Sequence, residues 1–409
     1  MKWITKDESI KVPIRSWCET VEPEALKQAQ NLANHPAVES PVALMPDCHV
    51  GYGMPIGGVI AVTDALIPNA VGVDIGCGMI AVETGLPAER FADMRERRAF
   101  MERVKARVPV GEGHRHNAAQ AWEGFERFRD THPDAANRWP NALDVHNLGS
   151  LGGGNHFIEL QVSDAGFVWL MIHSGSRNLG QRVAALYHGR AQSVNAQYRV
   201  ALPHSDLAFL PADTEDGRNY FRDMTFALAY ALENRHRMMA VCKEELAGLA
   251  GDVRFMREVN IHHNYAALET HAGRTVYVHR KGATSAKLDE VGIIPGSMGT
   301  PSYIVRGLGN PDSYMSCSHG AGRAMGRGVA NRSLNVEDCD RAMEGIAFDR
   351  WGRAKTSKWG KKAPRGEDGQ THDLSEAPQA YKDIESVIDA ERDLIEPLVK
   401  LRPLAVVKG

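Results

Sequence analysis

The stretch Pro46–Met79 reads PDCHVGYGMPIGGVIAVTDALIPNAVGVDIGCGM. Asp47, His49, Asp74 and Cys77 stand in it among Gly51, Gly53, Gly57, Gly58, Gly72, Gly76 and Gly78. Glycine accepts positive φ and lets a strand or a ligand come close. Asp74 and Cys77 are three positions apart, so a carboxylate and a thiolate can reach one ion. A hard oxygen beside a soft sulfur suits a borderline metal such as Zn²⁺ or Mn²⁺ better than Ca²⁺. The alternative is a plain glycine-rich strand–turn with a structural thiol, because free cysteine is among the most buried residue types. Either way, Pro41–Met45 and Gly58–Val62 read as short buried strands leading into and out of the first glycine cluster.

Working outward, the pattern alternates helices with glycine-rich loops. Pro23–His35 has helical spacing, with Ala25, Leu26, Ala29 and Leu32 on one face. Pro87–Val108 reads as a charged amphipathic helix. Gly111–Asn117 is a loop in which His114 and His116 either bind something or are simply solvated. His146–Glu159 is a second glycine loop feeding a strand, and FVWLMIH (167–173) is a buried strand running into HSGSR. Leu179–Tyr198 and Arg218–Leu246 read as helices, the second with Phe221, Met224, Leu228, Leu232 and Met239 as core. Asn260–Tyr265 (NIHHNY) reads as a loop, Thr275–Arg280 as a strand and Lys281–Ala283 as a turn. Ile293–Gly299 is a third glycine turn before a strand at Pro301–Val305. Ser316–Arg323 (SCSHGAGR) reads as a loop opening a helix. Val336–Phe348 and Asp383–Leu401 read as helices, and the terminal PLAVVKG as a strand.

The whole, 409 residues with 43% hydrophobic and 24% charged residues, fits a soluble globular protein. A net charge of −3 excludes a generally basic nucleic-acid binder, so any such surface is local. The chain has no apolar run of 18 residues, which predicts no membrane span. The opening MKWITKDESIKVP lacks a signal-peptide core, and the six scattered cysteines read as reduced thiols in a cytoplasm. No repeat or long linker appears, so residues 1–409 read as one interleaved α+β domain, with central β-sheets flanked by helices. Arg350–Arg365 holds seven basic residues, no acidic ones, and Trp351 and Trp359. It predicts a flexible basic insert over residues 350–375, which either tracks a single strand by stacking and charge or is only a solvated loop.

Asp74, Cys77, His156, His173 and His263 are candidate ligands at loop or strand ends, enough for two metals if Cys77 bridges. The alternative is that each histidine hydrogen-bonds within the core. Arg177, Lys281 and Arg327 lie beside glycine turns, where free N–H groups add to a basic side chain's hold on phosphate; the alternative is solubility. His319, in SHGAGR, could attack phosphorus as a neutral imidazole if a carboxylate such as Asp47 fixed its tautomer. It could instead be a further metal ligand or a structural histidine. No GxxxxGK[ST] and no strand-to-helix GxGxxG occurs, which disfavours a P-loop kinase or a Rossmann dehydrogenase.

In order, PDCHVGYGMPIGGV, GVDIGCGM, LGGGNHFIE, HSGSR, HHNY, RKGA, PGSMG, SCSHGAGR, AYKDI and the terminal VKG strongly resemble the RtcB family of RNA-splicing ligases. The resemblance runs from about Met45 to Gly409. It implies an α+β fold with a deep metal-lined cleft and a GTP- and Mn²⁺-dependent reaction. RNA ending in a 2′,3′-cyclic phosphate or 3′-phosphate is joined to RNA with a 5′-hydroxyl, through a covalent histidine–GMP and a guanylated RNA end. Matching motifs imply that Asp74, Cys77 and His156 hold one Mn²⁺ and that Cys77, His173 and His263 hold the second. They imply that His319 is guanylated and that Asp47 orients it. A GTP site is implied at Asn155, His156, Phe157, Ile158, Glu159, His263, Asn264, Pro295, Gly296, Ser297, Met298, Ser302, His319, Gly320, Ala321, Gly322 and Lys408. Arg177, Lys281 and Arg327 resemble anchors for RNA phosphates. Asn178 stands where a glycine is common and Gly326 where a serine is common, so RNA contacts are the point of departure. A monomer is expected, with a separate archease-like activating protein as a further partner. Two competing functions remain: a dinuclear-metal phosphoesterase acting on RNA ends without guanylation, and a non-catalytic RNA-binding relative.

Overall fold

A computed structural model describes residues 1–5, 8–139, 145–352 and 372–409. Two sheets carry the architecture. The larger has the order β10 (Phe255–His262), β6 (Gly78–Pro87), β8 (Phe167–Ser174), β7 (Phe157–Ser163), β18 (Ile395–Lys408), β15 (Ser302–Gly307), β14 (Val291–Ile294). Each neighbour along that path is antiparallel, and β17 (Ala347–Phe348) adds in parallel to β18. The smaller has the order β1 (Trp3–Thr5), β2 (Ile14–Ser16), β3 (Val42–His49), β4 (Ile56–Val62), β12 (Arg274–Lys281), β11 (Asn264–His271). Two short ribbons complete the strands: β5 (Ala65–Leu66) with β9 (Leu210–Pro211), and β13 (Ala283–Ser285) with β16 (Ser316–Ser318).

Period-2 alternation divides the core. Ile80, Val82, Leu170 and Ile172 face Met238, Met239 and Cys242 of the helix Glu215–Ala250. Their neighbours Met79, Ala81, Trp169 and Met171 enter the opposite core with Met298 and Met343. That two-sided burial explains why FVWLMIH is apolar throughout. In the smaller sheet, Leu44, Ile60 and Val62 pack with Ala25, Ala29 and Leu32 of the helix Pro23–Ala33. Ala43, Val59, Ala61 and Val278 meet Ile384, Val387 and Ile388 from the other side. The expected α+β class holds. No helix among the described residues is long and apolar enough to cross a membrane.

Several expected elements differ. Asn260–Tyr265 is not a loop: β10 runs to His262 and β11 starts at Asn264, so His263 alone joins the two sheets. The expected helix Asp383–Leu401 stops at Ala390, and the long β18 begins at Ile395. Pro397 and Pro403 cannot sit in a helix interior, and each falls at a register shift of the sheet, where proline is tolerated. Val336–Phe348 is helical only to Ala342; Gly345, at φ +79, turns the chain into β17. Pro87–Val108 starts as a strand end and a short 3₁₀ turn, and its helix Met94–Arg107 begins after the cap in which Asp93 accepts from Arg95 N–H at 2.8 Å. Residues 353–371 of the expected basic insert, Trp359 among them, lie outside the described residues. Its described ends are packed: Trp351 packs against Phe348 with the rings tilted by 56° and donates to Asp340 at 2.7 Å, while Leu374 and Ser375 are buried.

Candidate metal centre and nucleophile

In the antiparallel larger sheet, the end of β10, the start of β6, the end of β8, the start of β7 and the end of β18 lie along one edge. Cys77, His173, His156, His263 and Lys408 therefore come from distant sequence to one place. Local geometry makes this possible. His263 N–H donates to Cys77 O at 3.0 Å, and Gly76 N–H to Asn264 O at 3.0 Å. A Cβ on Gly78 would lie 2.0 Å from Ile261 O, so only glycine lets β10 close on β6.

Three donor atoms converge. Cys77 Sγ lies 3.2 Å from His173 Nε2 and 3.5 Å from His156 Nε2, and one ligand atom from each of the three residues lies within 4.8 Å of the others. The other ring nitrogens fix the tautomers. His156 Nδ1 donates to Leu151 O at 2.9 Å and His173 Nδ1 to Asn155 O at 3.2 Å, which leaves each Nε2 lone pair facing the thiol. Asp74 Oδ2 stands 3.4 Å from His156 Nε2, on a side chain that is 39% exposed. His263 packs its ring 5.1 Å from His173 and 4.9 Å from His319, and its buried Nδ1 has no hydrogen-bond partner among the described residues. A thiol, three imidazoles and a carboxylate, with one buried nitrogen unpartnered, fit a borderline transition metal well.

The electrostatics agree with that fit. Burial, then neighbouring histidines, hold His173 and His263 well below the usual imidazole range, so they are neutral. Burial and the Asp74 charge push the Cys77 thiol far up. Burial works to raise Asp74 as well, but the neighbouring His156, with Arg177 beyond, holds it low. Behind the thiol, Arg235 donates through Nη1 to Gly76 O and Ser174 O, both at 3.0 Å, and through Nε to Asn260 at 2.8 Å.

His319 follows β16 and is held from β3 of the smaller sheet by Asp47. Asp47 Oδ2 accepts from its Nδ1 at 2.5 Å and from its backbone N–H at 3.1 Å, leaving Nε2 as the free nitrogen. Asp47 is fully buried. Gly322, at φ +72, leaves room for it, since a Cβ there would lie 2.3 Å from Asp47 O. The expected helix at this loop does not follow: Ser316–Ser318 is strand β16 and the next helix begins only at Arg327. No helix dipole therefore acts on His319.

The remaining predicted residues fall on several walls. Glu159 is buried on β7, pushed up to about 7 by burial, and accepts from Gln161 at 2.6 Å. Lys408 pairs with Phe157 across the strands, and its amine lies 3.4 Å from Asn155 O, 3.5 Å from Glu376 and 5.6 Å from the Phe157 ring centre. Ile158 points into the core beneath the long helix, so only its backbone can face a ligand. Pro295–Met298 joins Gly320–Gly322 through Ala321 N–H on Pro295 O at 2.9 Å, and Ser302 Oγ accepts from Gly296 N–H at 3.2 Å. Ser297 is tied to Thr300. The Asn264 amide bridges Asp74 O and Gly282 N–H, so its side chain braces the metal turn. Arg177 donates to Ser150 at 3.1 Å beside Asp74, and Arg327 donates to Glu376 at 2.9 Å while 56% exposed. Lys281 differs from a surface anchor: it is buried, its amine donates to Tyr52 O at 2.5 Å and Asn69 O at 3.0 Å, and burial lowers it to about 7.

Sequence reasoning missed Arg235, Asn234, Glu376 and Glu391. Asn234 bonds Gly149 N–H, Ser150 and Gly175 O, stapling the second glycine loop to HSGSR. Glu376 gathers Arg323, Arg327, Tyr381 and Lys408. Glu391 accepts from Ser318 N–H at 2.9 Å. The signal for the first pair was two polar residues on the buried face of an apolar helix.

Comparison with known proteins gives the same direction. A family model described as "tRNA-splicing ligase RtcB" matches residues 28–409. The chain is 38% identical to the RNA-splicing ligase RtcB of Escherichia coli K12, covering 97% of each chain. It is 30% identical to a tRNA-splicing ligase RtcB of Methanococcus maripaludis, over 96% of this chain and 92% of the relative. To that of Archaeoglobus fulgidus it is 31% identical, over 97% and 93%.

Proposed function

The chain belongs to the RtcB family and is an RNA ligase, and we propose that it joins RNA 3′-phosphate or 2′,3′-cyclic phosphate ends to 5′-hydroxyl ends at the expense of GTP. The observation that carries this reading is His319, held by the buried Asp47, beside the Asp74, Cys77, His156, His173 and His263 cluster. A nucleophilic imidazole needs its second nitrogen held by a carboxylate, and Asp47 does so. His319 Nε2 attacks the α-phosphorus of GTP, the bond to pyrophosphate breaks, and GMP stays on the imidazole. Water first opens a cyclic phosphate to a 3′-phosphate; an oxygen of that 3′-phosphate takes GMP from His319 and frees the imidazole, and the 5′-hydroxyl then attacks the RNA phosphorus, releasing GMP as the phosphodiester forms.

Asp74, Cys77, His156, His173 and His263 would hold two Mn²⁺ ions, which would supply Lewis-acid charge neutralisation at the phosphoryl groups. Glu159 and Lys408, an acceptor and a donor on neighbouring strands, suit the edge of guanine. Arg177 and Arg327 present guanidinium groups to the RNA phosphates. The six free thiols suit a reducing cytoplasm.

The test is a sealing assay. RNA halves with 3′-phosphate and 5′-hydroxyl ends, supplied with GTP and MnCl₂, are expected to be joined, and His319→Ala is expected to abolish joining. Phosphate release without joining, and without need of GTP, would favour the phosphoesterase instead.

A further inference from the structure

Strand β3 leaves its ladder where the active carboxylate sits. Leu44 pairs with Gly58, the register then shifts, and the next partners are His49 and Ile56. The carbonyls of Pro46 and Cys48, on either side of Asp47, fall in that gap. Each is a buried acceptor that needs a donor from elsewhere.

One side chain supplies both. Lys382 Nζ donates to Cys48 O at 2.6 Å and to Pro46 O at 3.2 Å, with Cys18 Sγ at 3.7 Å as a third contact. The same residue is tied to the nucleophile's loop: its backbone N–H donates to Gly322 O at 3.0 Å. Ala324 N–H donates to Ala380 O at 2.9 Å, and Arg323 and Tyr381 form an antiparallel bridge. Side chains alternate along an extended segment. Tyr381 accordingly turns to Glu376 and Arg323, and Lys382 turns the other way, to Asp47's strand.

We infer that Lys382 is a positioning residue that locks Asp47 to His319, holding the carboxylate's backbone through its amine and the imidazole's loop through its N–H. The dyad rests on one short contact, 2.5 Å from Asp47 Oδ2 to His319 Nδ1, and small displacements at such a contact carry large rate penalties. Arginine keeps donors at this position; methionine keeps the stem and loses them.

The kinetic arm of the test rests on the proposed guanylation of His319, whereas the spectroscopic arm does not. In ¹⁵N-histidine-labelled protein, the His319 Nδ1 proton should resonate far downfield. Lys382→Met is expected to move that signal upfield, while Lys382→Arg keeps it. In parallel, the rate of guanylate transfer to the protein should fall about tenfold or more in Lys382→Met. KM for GTP and bound manganese should stay within about twofold of wild type in that variant, and Lys382→Arg should recover most of the rate. Should Lys382→Met fail to fold, Lys382→Gln, whose amide stops short of both carbonyls, is read by the same two measurements. A folded variant without the amine that keeps the wild-type resonance and rate overturns the inference. If wild type takes no guanylate, the functional reading fails, and the resonance still decides the role of Lys382.

Discussion

Cys77 carries the most chemistry per atom in the cleft. Its thiol is buried, pushed far up by that burial and by Asp74, and faces two imidazole lone pairs. A metal must displace its proton, so uptake is expected to release protons and to weaken as pH falls. Cys77→Ser should keep the fold and lose affinity for Mn²⁺ by about tenfold or more, checked by metal content after dialysis. Glu391 makes a separate pH prediction. Burial raises it to about 8 from a usual value of 4.5, so the folded state holds its proton more tightly than the unfolded chain. Its contribution is fully present below pH 4.5 and is lost as pH rises to about 8. Glu391→Gln, which mimics the protonated form, should flatten that loss in denaturant titrations taken across the window. At this scale the grouping of Cys77, His156 and His173 was legible, because each stands within two residues of a glycine or asparagine at or next to a strand end. The setting of Lys281 was not legible, because sequence gives residue type and not burial: its amine donates to two carbonyls.

At the scale of elements, the helix Glu215–Ala250 does more than cover the sheet. Asn234 and Arg235 project from its buried face into the turns that hold Cys77 and His173. Arg235→Met would remove the guanidinium donor from Ser174 O and from Gly76 O, which keeps only His262 Nδ1 at 3.2 Å, at a cost of about 1–3 kcal/mol. Denaturant unfolding should register that loss, and metal affinity should fall with it. Gly78→Ala should cost about 2–4 kcal/mol, since its new methyl would meet Ile261 O across the β10–β6 ladder. Strands with continuous apolar runs, such as FVWLMIH, were legible, as were the helices with apolar stripes at Leu179–Gln197 and Glu215–Ala250. The last strand was not. Residues 383–401 carry apolar side chains at spacings that serve either a helix or a half-buried strand, and only sheet partners decide between them. β18 has three such partners, β7, β15 and β17. NIHHNY failed for a related reason: its polarity reads as a loop, yet it is where the chain crosses from one sheet to the other.

At the scale of the whole molecule, the site lies where His263 links β10 of the larger sheet to β11 of the smaller. The larger sheet brings the thiol and imidazoles, and the smaller brings Asp47 and supports His319. Neither sheet alone holds a complete site. That long-range assembly was legible only through the order of the motifs, because no local pattern reports which strand ends will meet. An ion binding across the seam should stabilise the whole fold by mass action. Mn²⁺ should therefore raise the thermal midpoint of wild type and have little effect on His263→Ala. The most direct measurement is to incubate the protein with α-labelled GTP and MnCl₂, digest it, and map the label. The account predicts an acid-labile guanylate on His319 alone, absent from Asp47→Ala and His319→Ala. Label on another residue, or label retained at wild-type level in His319→Ala, would contradict it.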